Sequence, residues 1–323
     1  MRVLHVAAEV APYSKVGGLA DVAGSLPIAL AELGVDCRIV TPRYRGTDIR
    51  GARDGVTGRV GRHQVHVHRG DLHGVEVDLV ECPEMFDRGA VYGEADDGDR
   101  FALLARAGLA IAEDWDADIV HAHDWHGALA PILADGRRTI LTIHNLAYQG
   151  HQPPEFAARY GLAPPPVPGD YGPDAVNLLG RGIAAATAVT TVSPTYAVEI
   201  TGPELGYGLE GLLAEHHLVG IVNGIDTERF DPATDDAMTE PFSVDDPSPR
   251  AASSSRSRPF WWNRRATTPT TGPSPGSMPV SAHSVRRVAA RRDGSSTENG
   301  SVIASSVAGS NRSVSMPFTI PTR

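Results

Sequence analysis

The sequence predicts an α/β fold, a parallel sheet with helices on both faces. Three observations carry that prediction. Short apolar runs alternate with segments of helical periodicity over the first 240 residues. A glycine-containing loop joins the first strand to the first helix. Polar clusters follow the ends of buried strands, which is where open parallel sheets bind ligands. Strand–helix alternation of this kind covers both faces of a sheet.

The elements follow in order. Residues 2–10 read as a short apolar strand and residues 11–18 as a loop. Leu19, Val22, Ala23, Leu26, Leu30 and Leu33 then recur at helical spacing and mark an amphipathic helix. Residues 36–42 form the next strand. Residues 56–69 and 75–80 alternate at period two and read as a hairpin-type insertion. Residues 101–113 are helical, 118–121 a buried strand, 125–133 a helix and 139–144 a strand. Residues 152–171 are rich in proline and read as a surface loop. Residues 177–186 read as a helix and 188–192 as a strand. Residues 194–200 read as a helix with Pro194 in its first turn. Residues 218–222 form a last short strand.

Composition bounds the function. The chain has 323 residues and a net charge of −10, so a nucleic-acid partner is not expected. Cys37 and Cys82 form no CxxC pair, and a reduced, cytoplasmic protein is expected. The first residues run straight into a strand pattern, unlike a signal peptide. No run of 18 apolar residues occurs, so no membrane span is expected.

The averages hide a break. Three serines occur up to residue 240 and 18 from 241 to 323. Net charge changes from −17 in the first part to +7 in the second. The expected organisation is therefore one domain over 1–240 and a disordered Ser/Arg/Pro-rich tail over 241–323. A basic Ser/Arg tail is a candidate for RNA or an acidic partner. A non-native tail is the preferred reading.

Three constellations carry chemistry. The first is Lys15-Val16-Gly17-Gly18 between the first strand and helix. Gly17 and Gly18 let backbone approach a ligand, and the helix start favours an anion. Lys15 is the only lysine in the chain and adds a full charge there. The spacing is not that of a Walker loop. An ordinary glycine turn beside a surface lysine is the plainer alternative. Asp21, in the first turn of that helix, is either a dipole-favoured acid or a hydrogen-bonding group for sugar hydroxyls or the diphosphate region.

The second constellation is His121-Ala122-His123-Asp124-Trp125-His126. A metal reading is open, but no cysteine is near. A polar shelf with an aromatic side chain, suited to a sugar, is preferred; Asp124 is also placed to cap the next helix. The third is His144-Asn145-Leu146-Ala147-Tyr148-Gln149-Gly150 at the same sheet edge. His144 is either a structural histidine or a contact of the reacting group. Convergence of three polar clusters favours a site.

These segments resemble the bacterial glycogen synthases and plant starch synthases. So do Thr191-Val192-Ser193-Pro194-Thr195-Tyr196, Gly206-Tyr207-Gly208-Leu209-Glu210-Gly211-Leu212-Leu213 and Val222-Asn223-Gly224-Ile225-Asp226. The resemblance runs from Met1 to about Thr234. It implies the N-terminal Rossmann-like domain of a two-domain GT-B glycosyltransferase. The implied reaction moves glucose from ADP-glucose to the non-reducing end of an α-1,4-glucan such as glycogen, with retention and no metal or other cofactor.

By this resemblance Lys15 contacts the donor diphosphate, and Gly17 and Gly18 let the loop approach it. Asp21 and Asn223 line the donor cleft. Asp124 and Trp125 lie on the sugar and acceptor side. His144 sits beside the transferred glucose, and Tyr92 matches an aromatic contact in a weakly aligned region. His144 and Asp124 are the expected catalytic residues.

Two departures stand out. Val16 replaces a threonine that is common at that place in the family. The family's second domain, with its Ser-Arg-Leu-x3-Lys-Gly-type segment, does not follow residue 240. The abrupt change resembles a reading-frame shift, and this chain alone is expected to lack synthase activity.

Overall fold

A computed structural model describes residues 1–162, 176–225 and 231. The tail expected over 241–323, and the end of the proline-rich segment, lie outside those residues.

The strands in chain order are β1 (Arg2–Val6), β2 (Asp36–Pro42), β3 (Arg53–Val60), β4 (His63–Leu72), β5 (Val75–Glu81), β6 (Ile119–His123) and β7 (Arg138–Ile143). They continue with β8 (His151–Gln152), β9 (Val176–Asn177), β10 (Ala188–Thr191) and β11 (Leu218–Gly220). Nine of them form one sheet in the order β11-β10-β7-β6-β1-β2-β5-β4-β3. Every pairing from β11 to β5 is parallel, and β4 runs antiparallel to both β5 and β3. β8 and β9 make a separate antiparallel pair.

Alternation in β1 shows why the sheet is covered on both faces. Leu4 and Val6 enter one buried cluster together with Val40, Val80 and Val120. Val3 and Ala7 enter a second cluster with Ile39, Val77 and Leu79. Helix α1 (Gly18–Glu32) covers the second face through Leu19 and Ala23. Gly24 faces the loop after β1, where an added Cβ would lie 2.7 Å from the Ala11 carbonyl oxygen. After the short α2 (Pro83–Phe86) comes α3 (Asp97–Asp114), which covers the first face through Phe101, Leu104 and Ile111.

Four local expectations need correction. The strand β5 is no insertion, because it pairs in parallel with β2 inside the main sheet. The single run read over 56–69 is the β3–β4 hairpin. The chain reverses at Gly61, at φ +58°. The helix read over 125–133 is two short pieces, α4 (Asp124–Gly127) and α5 (Leu129–Leu133). The proline-rich loop contains α6 (Pro154–Tyr160), since Pro154 occupies the first helical turn, where a missing N–H costs nothing.

The remaining helices start on side-chain caps or between tight turns. In α7 (Leu178–Ala185) the Asn177 side chain accepts from the Gly180 amide at 2.8 Å. In α8 (Pro194–Ile200) Ser193 does the same for Tyr196 at 2.9 Å. A last helix, α9 (Glu210–Glu215), precedes β11.

Candidate functional site

The strands β1, β6 and β7 are neighbours, so their carboxyl ends bring the three constellations to one edge. The loop after β1 is folded tightly. Ser14 donates its amide to the Val10 carbonyl at 2.9 Å, and Ala11 donates to Ala20 at 3.0 Å. Lys15 projects from this loop and donates to Asp21 Oδ1 at 2.6 Å. Both side chains are about half exposed.

Glu9 holds the glycine loop from beneath, and sequence reading missed it. It is almost fully buried. Its carboxylate accepts from the Val16 amide and from the Gly17 amide at 3.2 Å. Tyr92 also hydrogen-bonds it. Burial raises the Glu9 pKa, and these three hydrogen bonds oppose the rise. The Val16 and Gly17 amides are therefore already committed inside the chain. At Gly18 an added Cβ would meet nothing, and at Gly17 only an ordinary contact at 3.7 Å. Packing within the described residues requires glycine at neither position.

Asp124 follows β6 directly, with a left-handed φ of +51°. That conformation aims its buried carboxylate at the loop after β7. Oδ1 accepts from the His144 amide at 2.7 Å and from the Asn145 amide at 3.3 Å. Burial raises the Asp124 pKa against the pull of His144 and these amides. The same loop is tied further along. Leu146 donates its amide to Tyr196 Oη at 3.1 Å, and Gln149 Nε2 donates to the Tyr207 carbonyl at 3.1 Å. The polar residues of the third constellation thus sit on a braced loop.

Behind His144 lies a row of histidines. His123 Nδ1 is 3.0 Å from His144 Nε2, and His5 Nδ1 is 3.5 Å from His123 Nε2. His121 pairs with Thr142 Oγ1 at 2.6 Å. Burial pushes His5 down to about 3 and holds His121 and His123 far below the usual histidine range. These rings are neutral near pH 7. His144 is the partly exposed end of the row. The metal grouping considered from sequence is rearranged. His5, not His126, joins His121 and His123 with ring nitrogens within 4.8 Å of one another.

His126 instead stacks on Tyr92 at 4.6 Å and meets Phe101 edge-on at 4.8 Å. Trp125 completes the cluster, 5.3 Å from Phe101 and partly exposed. Tyr92 therefore links the Glu9 clamp to the aromatic shelf. Asn223 is exposed in the segment after β11. In the sheet order, strands β10, β7 and β6 lie between β11 and β1.

Comparison with known proteins shows the family. A family model described as the starch synthase catalytic domain matches residues 2–215. A glycogen synthase of Burkholderia thailandensis is 41% identical over 272 residues, covering 75% of this chain and 51% of the relative. A glycogen synthase of Thermus thermophilus is 42% identical over 258 residues, covering 78% and 57%. The solved catalytic domain of starch synthase IV from Arabidopsis thaliana, bound to ADP and acarbose, superposes with a TM-score of 0.64 at 35% identity. That match covers 76% of this chain and 56% of the other. The chain spans about half the length of the curated relatives it matches.

Proposed function

The chain belongs to the starch synthase catalytic domain family, and from that membership we propose that it forms one wall of an ADP-glucose-dependent α-1,4-glucan synthase site. The observation that carries the proposal is the convergence of Lys15, Asp124 and His144 at three adjacent strand ends. The donor is ADP-glucose and the acceptor an α-1,4-glucan.

Each residue has a role in this reading. Lys15 meets the donor diphosphate, where the ADP leaving group gains negative charge in the transition state, and a fixed cation lowers that barrier. Gly17 and Gly18 keep the loop surface open to it, which accounts for glycines that internal packing does not demand. His144, held by His123 through its ring and by Asp124 through its amide, contacts the transferred glucose. Asp124 acts by positioning, since its Oδ1 is already engaged by two amides. Trp125 and Tyr92 present the aromatic side of the sugar subsite. Asp21 and Asn223 contribute to the donor cleft. Residues 1–240 make up the domain.

Isothermal titration of the purified chain with ADP-glucose and with maltotriose tests the proposal. Saturable binding that is lost in His144→Ala, with ADP-glucose favoured over UDP-glucose and GDP-mannose, is the expected result. Absence of binding to both ligands, or preference for another sugar nucleotide, would overturn it. Glucose transfer to glycogen is expected to be absent from this chain alone. Turnover by the purified chain would contradict that part.

A further inference from the structure

We propose a divalent transition-metal site, of the Zn²⁺ type, on the β3–β4 hairpin, formed by Asp54, His66 and His68. One ligand atom from each lies within 4.8 Å of the other two. Nothing in the glucan-synthase reading uses these residues, and the proposal does not depend on it.

The site is built by a bulge. Asp54 pairs with His68 and Thr57 with His66, so Gly55 and Val56 of β3 stand opposite Val67 alone on β4. A bulge re-aims the side chains beside it. Here it brings Asp54 onto His66, with Oδ1 2.7 Å from Nε2. The bulge depends on Gly55, because a Cβ there would lie 2.1 Å from the Val67 carbonyl oxygen. His66 and His68 lie two residues apart on β4, and their rings meet edge-on at 4.5 Å.

Each histidine also has an outer partner. Thr57 Oγ1 holds His66 Nδ1 at 2.7 Å, leaving Nε2 on the Asp54 side. Glu81 Oε2 holds His68 Nε2 at 2.6 Å, leaving Nδ1 as the nitrogen that ring offers a cation. Metal-binding histidines are typically oriented in this way by an oxygen on the second nitrogen. Two imidazoles and a carboxylate suit zinc, whose bonds to such ligands are about 2.0–2.2 Å. Asp54 is largely exposed and free to swing to that distance. Solvent completes the coordination. A bound ion would pin β3, the outermost strand, to β4.

The test is calorimetric titration of the full chain, free of any purification tag, with ZnCl2. Saturable binding with a micromolar Kd is expected, with a rise in thermal midpoint by mass action. The double variant H66N/H68N should lose this binding and the thermal shift, while keeping its far-UV circular dichroism. Glu81→Gln should weaken binding about tenfold through loss of the outer partner. No saturable binding in the wild-type chain would overturn the proposal. So would an unchanged isotherm in H66N/H68N, which assigns the ion to another histidine cluster.

Discussion

Lys15 Nζ lies 2.6 Å from Asp21 Oδ1, across the junction between the glycine loop and α1. The two residues read from sequence as separate contacts of a donor are thus each other's partner. An anion arriving at Lys15 meets a cation already shared with a carboxylate. Lys15→Ala is therefore expected to leave stability almost unchanged, since exposed pairs contribute about 0–1 kcal/mol. ADP-glucose affinity should fall at least about tenfold, or roughly 1.4 kcal/mol. Asp21→Asn separates Asp21's two possible roles. Tighter binding of free ADP, with no gain for ADP-glucose, would show Asp21 repelling phosphate while holding sugar. Thermal melts and titrations of both variants supply the check.

Glu9 anchors the loop that carries Lys15, so its removal should act on both stability and binding. Glu9→Ala strands the Tyr92 hydroxyl, which is mostly buried, and frees two loop amides. A loss of about 1–3 kcal/mol is expected. In a domain of this size that lowers the melting midpoint by about 2–4 °C per kcal/mol. Glu9→Gln keeps one acceptor oxygen and should fall between the two. A purely structural role would lower the midpoint without weakening ADP-glucose binding measured well below it.

How far the site was legible depended on whether its cause was local. Strand β2 and helix α8 matched their expected ranges, because a short apolar run and a Ser-Pro start are written in adjacent residues. The clamp by Glu9 was not seen, although a signal was present. A lone acid inside the apolar run of residues 3–10 must find buried partners. The histidine row depends on sheet pairing, in which His5 lies opposite His121 across 116 positions of chain. No spacing rule reports that register. The helix α6 was hidden by its own prolines, whose role at a helix start looks like that in a loop.

Gly150 sets the depth of the aromatic shelf. Its φ is +65°, and an added Cβ would lie 2.3 Å from Trp125 Cε3. Gly150→Ala therefore combines left-handed strain of about 1–2 kcal/mol with overpacking of about 1–3 kcal/mol. A total loss of about 2–5 kcal/mol is expected in urea unfolding. Trp125 must also move, so near-UV circular dichroism should change before unfolding begins. Maltotriose affinity should drop with it. An unchanged spectrum would mean that the backbone, rather than Trp125, yields.

Asp78, in the middle of β5, carries the pH dependence that is easiest to isolate. It is buried beside Arg69, whose Nε is 3.6 Å from Oδ1, and neither carboxylate oxygen has a hydrogen-bond partner among the described residues. Burial raises its pKa to about 6, against the pull of Arg38 and Arg69. The ordinary value is 3.8. Below pH 4 the group is protonated both folded and unfolded, and its contribution to stability is fully present. Between about pH 4 and 6 the unfolded chain gives up the proton and the folded chain keeps it, so stability falls as pH rises. Above pH 6 the folded state holds a desolvated charge, and the loss levels off at about 3 kcal/mol. Asp78→Asn removes this slope. The variant should melt near the wild type at pH 4 and clearly above it at pH 7.5. Melting curves at half-unit pH steps decide the matter. A constant difference between variant and wild type across that range would show that Asp78 is ionised in the folded protein throughout.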